Sequence, residues 1–343
     1  MLWKELEFTT NSGLQPQYQA KFFEGLTEES ANNFVFTRQL TMNFSVDPAV
    51  MAHLDKRASI TSTIRTLTTI FKYAAPFLQI LNLEIEPFIR LGGGANDTPS
   101  PALDTCNSAM YHCLEKIARQ ELDYTTFVVE VGGLSPTSDL KCQHLLRLLA
   151  PKVTNLVITD SPYFWNDWFP LTRRLRFLQT RNVSRSNGAD DGIYRWKTIS
   201  ALPLSTLLVP GIKIPTDIQH YLPRTLTCLD LSETDDIAVA VVCFTKLPQL
   251  IMFGLNRAKQ KNAAMDRSTV IKDTVCTELR CVHFLDSLVP PGLLSVIATR
   301  NPRLSHVSAP PNISVKDITN LRTYCLRLET LTMSESPLGA PKT

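Results

Sequence analysis

The residues with chemical potential are few and scattered. Cys276-x4-Cys281-x-His283 offers soft donors for zinc, but a structural zinc site takes four ligands in paired short spacings, and no second pair stands nearby. Cys281 and His283 read instead as alternate, non-core positions of one strand. Cys106-x6-Cys113 sits near one face of a helix, where a thiol behaves as a small buried apolar group. The runs Gly92-Gly93-Gly94 and Gly132-Gly133 lack the lysine and hydroxyl residue of a phosphate loop and the G-x-G-x-x-G of a dinucleotide site, so they read as turns. The six histidines are dispersed, and neither G-x-S-x-G nor H-E-x-x-H occurs. Catalysis needs convergent groups. No enzymatic activity, metal or cofactor is therefore expected.

One basic and aromatic cluster remains, Arg173-Arg174-Leu175-Arg176 with Arg181 and Arg185 after it and Trp165 and Trp168 before it. Such a cluster suits an acidic peptide or nucleic acid, with tryptophan and arginine as binding anchors. The competing reading, solvated arginines beside a strand, is favoured because charge runs usually mark solvent faces. A net charge of +3 over 343 residues gives no general pull toward nucleic acid.

Elements must position whatever acts here. With 44% hydrophobic and 20% charged residues, the composition is that of a globular chain able to fill a large core. The longest apolar runs, such as Ile237 to Phe244, fall far short of a membrane span of roughly 20 residues. Residues 1–8 alternate charged and apolar types and lack the apolar block of a secretory signal. An intracellular location, in cytoplasm, nucleus or both, is expected. Eight cysteines diluted over this length read as reduced and mostly buried.

Self-similarity dominates the organisation. Leu226-Thr-Cys-Leu229-Asp-Leu231 is an L-x-x-L-x-L run, and close variants begin at Leu78, Val153, Leu204, Leu247 and Leu328. Looser copies begin at Leu175, Leu279 and Leu304, with a weaker one at Thr126. Their second anchors, at positions 129, 156, 178, 207, 229, 250, 282, 307 and 331, are separated by 27, 22, 29, 22, 21, 32, 25 and 24 residues. Most of these fall in the roughly 20 to 29 expected of leucine-rich repeats. The second and third leucines, two apart, point to one side of a short strand, and only stacking of neighbouring units buries them.

The fold class expected is α/β, a curved leucine-rich-repeat solenoid of about nine to ten irregular repeats, with parallel strands on the concave face and helices or loops on the convex face. Helical periodicity marks Ile60 to Phe71, Met110 to Ile117 and Leu140 to Leu149, with shorter returns at Ile218–Leu222 and Val289–Ile297. Residues 1–30 read as a junction or cap, 31–333 as the repeat domain and 334–343 as a flexible tail. Loops are expected around Gly92 to Pro101, from Asn182 to Tyr194 and from Asn256 to Asp273.

The repeat pattern over about residues 30 to 333 resembles the fungal F-box proteins with irregular leucine-rich repeats, of the ribonuclease-inhibitor-like group. Leu2-Trp3-Lys4-Glu5-Leu6-Glu7-Phe8 is similar to the strand that joins the F-box to the repeats in that family. On this resemblance the chain starts just after the F-box, and docking of a Skp-type adaptor requires an F-box upstream of Met1. The function implied is substrate recognition for an SCF ubiquitin ligase. A stand-alone repeat scaffold or adaptor is the alternative, and a small-GTPase regulator a third possibility by fold analogy alone.

The partner-binding residues expected are those between and after the core leucines: Glu84, Glu130, Thr159, Gln179, Arg181, Asp230, Ser232, Ile251, Phe253, His283 and Leu285. Acidic, amide, basic and apolar groups mix in this set, which suits a protein substrate or adaptor better than a phosphate backbone. Neither nucleic acid nor membrane is an expected partner.

Overall fold

The structure, a computed structural model, describes residues 5–9, 37–44, 54–85, 101–120, 125–131, 140–159, 167–181, 191–209, 215, 217–231, 246–255, 276–284, 287, 289 and 291–333. The chain packs as two compact units, Met1–Leu175 and Arg176–Thr343. Both have an α/β repeat architecture in which parallel strands follow one another in chain order and helices or short turns connect them.

In the first unit the strands are β1 (Glu5–Thr9), β2 (Gln39–Asn43), β3 (Ile80–Ile85), β4 (Thr126–Val131) and β5 (Asn155–Thr159), each hydrogen-bonded to the next. The sheet thus begins with Leu6 beside Leu40, inside the stretch that the repeat pattern assigns to a junction. Side chains alternate as a strand period of two requires: Leu40 and Met42, Leu81, Leu83 and Ile85, and Phe127, Val129 and Val131 all face the core. Phe127 lies opposite Leu81 while Val129 lies opposite Leu156, so β4 carries one more inward residue than the six-residue repeat motif supplies.

Helices α1 (Leu54–Ala74), α2 (Pro101–Arg119) and α3 (Leu140–Leu149) return the chain, α1 packing on α2 and α2 on α3. On α1, Ile64, Leu67, Ile70, Phe71 and Ala74 are buried at steps of three and four, while Arg65 and Lys72 stay exposed. Helix α2 starts on Pro101, a residue expected in the loop; proline suits the first helical turn, whose N–H has no intrahelical acceptor. Three 3-10 turns, Ala75–Phe77, Ala150–Lys152 and Phe169–Leu171, each carry proline in the first turn, and the capping residue after each donates its N–H back to the turn's first carbonyl. The turn stops the preceding segment and hands the chain to the next strand.

The second unit contains β6 (Phe177–Arg181), β7 (Thr206–Leu208), β8 (Cys228–Asp230), β9 (Met252–Gly254), β10 (Cys281–His283), β11 (His306–Ala309) and β12 (Thr330–Met333), paired in that order. Its core row runs Leu178, Leu207, Leu229, Phe253, Val282 and Val307, all at most 1% exposed. One repeat is corrected here. Phe253, and not Leu250, stands opposite Leu229, so the copy runs Leu250-Ile-Met-Phe253-Gly-Leu255. The second-anchor spacings become 24 and 29 instead of 21 and 32, both inside the leucine-rich-repeat range. The apolar Leu247 invited the misplacement by sitting three residues early; it is buried as well, just ahead of the motif.

Helices α4 (Asp191–Ser200), α5 (Leu293–Arg300) and α6 (Val315–Tyr324) lie between strands of this unit. Helix α4 begins inside the loop expected from Asn182 to Tyr194, because Arg195, Trp196 and Ile199 bury one face. Helix α6 starts with a reciprocal cap: Ser314 Oγ accepts from the Asp317 N–H, and Asp317 accepts from the Ser314 N–H and hydroxyl. Asp317 also accepts from the backbone and hydroxyl of Ser295 on α5, which ties the last two helices together. The loop from Asn256 to Asp273 and residues 334–343 lie outside the described residues.

Candidate interaction surface

Parallel register places residues of neighbouring strands in rows about 4.8 Å apart. In the first unit the outward row Asn43, Glu84, Glu130 and Val157 runs across β2 to β5. Asn43 Nδ2 donates to Glu84 Oε2 at 2.5 Å, and in the adjacent row Asn82 Nδ2 donates to Thr41 Oγ1 at 3.0 Å. Glu84 and Glu130, both expected from the sequence as positions beside the core leucines, are therefore register neighbours in one amide-and-acid row. Thr159 ends β5, and its side chain lies outside the described residues.

In the second unit one outward row is Thr206, Cys228, Met252, Cys281 and His306, and the next is Leu208, Asp230, Gly254, His283 and Ser308. Asp230 and His283 flank Gly254, whose missing side chain leaves space that the Asp230 carboxyl occupies. A Cβ on Gly254 would come within 2.9 Å of the Asp230 carboxyl carbon, so the acid leans across the strand that has no side chain. His283 Nδ1 lies 2.9 Å from Ser308 Oγ. Ile251, 38% exposed, stands just ahead of the sulfur row. Gln179 is half-buried opposite Leu208.

Phe253 does not belong to this surface. It is fully buried, its ring 6.0 Å from that of Phe284, because the corrected register turns it inward; Met252 and Gly254 take the outward positions. The side chain of Arg181, and Ser232 and Leu285, lie outside the described residues.

Of the two tryptophans read as possible partner anchors, Trp165 lies outside the described residues and Trp168 is a core residue. Trp168 is fully buried and donates from Nε1 to the Leu146 carbonyl at 2.8 Å, with its ring edge-on to Phe169. Arg173 is exposed, and Arg176 donates to the Pro203 carbonyl, so at least one guanidinium of the basic run serves the fold.

The sulfur chemistry is quiet. Cys276 is in the core, where burial pushes its thiol up to about 12, whereas Cys281 and His283 are half-buried on the outward side of β10. Burial, with Asp230 and Cys281 nearby, pushes Cys228 up to about 11, and burial also raises Cys281, offset by Arg280. Thiols held protonated are poor nucleophiles and poor metal ligands. Among the described residues no three His, Cys, Asp or Glu side chains converge as a metal site. No described helix is long and apolar enough to cross a membrane.

A recurrent hydroxyl escapes the leucine pattern. Thr125, Ser205, Thr227 and Ser305 each stand just before or at the start of a strand and donate to a carbonyl of the preceding repeat, at Gln79, Arg176, Ser205 and Arg280. A Ser or Thr directly after the first leucine, as at Leu204-Ser205, Leu226-Thr227 and Leu304-Ser305, was the available signal in those copies, whereas the copies at Leu78, Leu175 and Leu279 carry none.

No protein-family profile matches this sequence, and no curated protein matches it significantly. Among solved structures, the leucine-rich repeat-containing protein LegL7 from Legionella pneumophila is similar over 95% of this chain and 99% of its own, at 14% identity and a TM-score of 0.47.

Proposed function

We propose that this chain is a protein-interaction module, and that it forms the substrate-recognition part of an F-box-type ubiquitin-ligase receptor. The binding half of the reading is carried by one observation: consecutive repeats hold Cys228, Met252, Cys281, Asp230 and His283 in register on the outward side of the strands. Backbone ladders fix their spacing, so this is a surface whose side chains are positioned before any partner arrives, which lowers the ordering cost of binding. The sulfur-containing row offers adaptable apolar contact, and Asp230 and His283 supply polar discrimination beside it. The amide-and-acid row of the first unit, Asn43, Glu84 and Glu130, is chemically unlike it and suits a basic segment of a partner.

The ligase half is supported by the Leu2 to Phe8 resemblance, since residues Glu5–Thr9 form a strand that opens the sheet. The test is a pull-down with the complete gene product, including any codons upstream of Met1, against purified Skp-type adaptor. Capture is the expected result. Absence of capture removes the ligase role and leaves a scaffold, while a substrate released by Asp230→Lys and Ile251→Ser but not by Phe253→Leu marks the surface itself.

A further inference from the structure

The outward rows of the second unit carry almost no charge. From β7 to β11 they hold hydroxyl, sulfur, imidazole and apolar groups, and among the described residues Asp230 is their one carboxylate, with no lysine or arginine in either row. The cations stand to one side: Arg224, Lys246 and Arg280 are exposed in the segments that lead into β8, β9 and β10. Arg303 and Glu278, in the same belt, pair with each other at 3.2 Å. A weakly charged, methionine-bearing centre beside a charged rim is the layout of a protein interface.

A neighbour without a side chain lets Asp230 reach the middle of that centre. Its carboxyl carbon and oxygens lie 2.9, 3.0 and 3.2 Å from where a Cβ of Gly254 would stand, so the acid reaches over β9. On the other side of the glycine, His283 is held at Nδ1 by Ser308 Oγ, 2.9 Å away, which leaves Nε2 for a partner. Met252 precedes the glycine by two residues and shares its face, so thioether, carboxylate and imidazole adjoin one spot. A carboxylate accepts several hydrogen bonds at once, so contacts that Asp230 makes within the chain leave it able to accept more.

We propose that this spot takes a single arginine of a partner protein, on a segment whose neighbouring side chains are apolar. The guanidinium is the side chain that fits. Its planar fork donates to both oxygens of Asp230 and, with the imidazole proton of His283 on Nδ1 toward Ser308, to the Nε2 lone pair, whereas a lysine offers one point charge. The arginine stem lies along the Met252 thioether, and Ile251, 38% exposed, extends the apolar contact. Neutral neighbours close around the ion pair and exclude water, the setting in which arginine acts as a hot spot. The basic rim sets the limit on charge: Arg224, Lys246 and Arg280 repel a run of lysines or arginines, so one cation is selected over a polybasic tail. The inference rests on the reading of the outward rows as a binding surface and not on the ligase reading.

The test is selection of a random displayed peptide library on the full chain, followed by fluorescence anisotropy with the enriched peptides made synthetically. Peptides that bind the outward rows are identified by their loss on the Met252→Gln, Ile251→Ser double variant. The expected result is a shared arginine with apolar neighbours, and affinity lowered about tenfold or more when citrulline, which keeps the shape and removes the charge, replaces it. Asp230→Asn should weaken the same peptides by a similar factor, and Gly254→Ala, which displaces the carboxyl without removing it, should weaken them as well. Melting temperature reports whether each variant stays folded, and the citrulline peptide decides the matter without any change to the protein. Peptides that bind these rows without an arginine, that tolerate citrulline or a folded Asp230→Asn variant, or that bind as well with a run of lysines, overturn the inference and leave the surface reading intact. If no enriched peptide is lost on the double variant, both fall.

Discussion

Replacing Phe253 with alanine separates the corrected register from the one the leucine spacing suggests. If Phe253 were an outward contact residue, its truncation would leave stability nearly unchanged and weaken only partner binding. The structure places it fully buried, between Leu229 and Val282 in the core row and beside Phe284. Truncating a buried phenylalanine removes its transfer free energy and leaves a cavity, at a cost of about 3–5 kcal/mol. For a unit of this size each kcal/mol lowers the melting temperature by about 2–4 °C, so a fall of roughly 6–20 °C is expected. Ile251→Ser, two residues away and on the solvent side, should stay within about 0.5 kcal/mol of the parent. Thermal melts followed by circular dichroism, with guanidinium titration for the free-energy difference, provide both numbers. A Phe253→Ala protein that melts within about 2 °C of the parent, or an Ile251→Ser protein that falls as far, would refute the register. A double-mutant cycle with Phe284→Ala should return a coupling of about 0.5–1.5 kcal/mol if the two rings pack as described.

Other consequences are open to direct measurement. Asn301 is fully buried and holds the Leu279 N–H and the Ile297 carbonyl; Asn301→Leu should cost about 1–3 kcal/mol in urea unfolding because it orphans that N–H. Thr180 is buried in an inward strand position and its hydroxyl has no hydrogen-bond partner among the described residues, so Thr180→Val should raise the unfolding free energy by about 1 kcal/mol, and a loss instead would mean that the hydroxyl has a partner. Burial raises the pKa of Asp317, but hydrogen bonds from Ser295 and Ser314 outweigh it and hold the carboxyl below its usual 3.8. Its stabilising effect is therefore fully present above pH about 4 and lost as the pH falls through the depressed value, so the gap in melting temperature between the parent and Asp317→Asn should close on acidification. Buried Cys113 and Cys276, pushed up to about 11 and about 12, bind protons more tightly folded than unfolded. Stability should decline from pH about 9 upward, and these thiols should react with a disulfide reagent at pH 8 only after denaturant is added.

The leucine spacing was sufficient to establish the class of fold. Residues two apart on a strand share a face, so L-x-x-L-x-L at intervals in the twenties has one economical solution, parallel strands stacked in chain order. The helices at Ile60–Phe71, Met110–Ile117 and Leu140–Leu149 were legible for the same reason, a period near 3.6. Other features were written in the sequence but in a different chemistry: Ser314-x-x-Asp317 is a capping signal, Pro101 an N-terminal helix residue, and the proline-bearing turns at Ala75, Ala150 and Phe169 are punctuation that a search for leucines passes over. The outward positions followed from the period wherever the anchor was right, as at Glu84, Glu130, Asp230 and His283.

Only the tertiary structure decided between overlapping registers. Around Leu247, Leu250 and Phe253 apolar residues recur every three positions, so the local pattern fits two frames equally, and a shift of three residues reverses which side chains face out. The hydrogen bonds from β8 to β9 and from β9 to β10 resolve it by placing Phe253 between Leu229 and Val282. The same holds for Trp168, whose aromatic and polar character suits either an interface or a core until its N–H finds the Leu146 carbonyl 22 residues away. Periodicity reports which faces of an element differ; the partner that each face meets is set by residues distant in the chain.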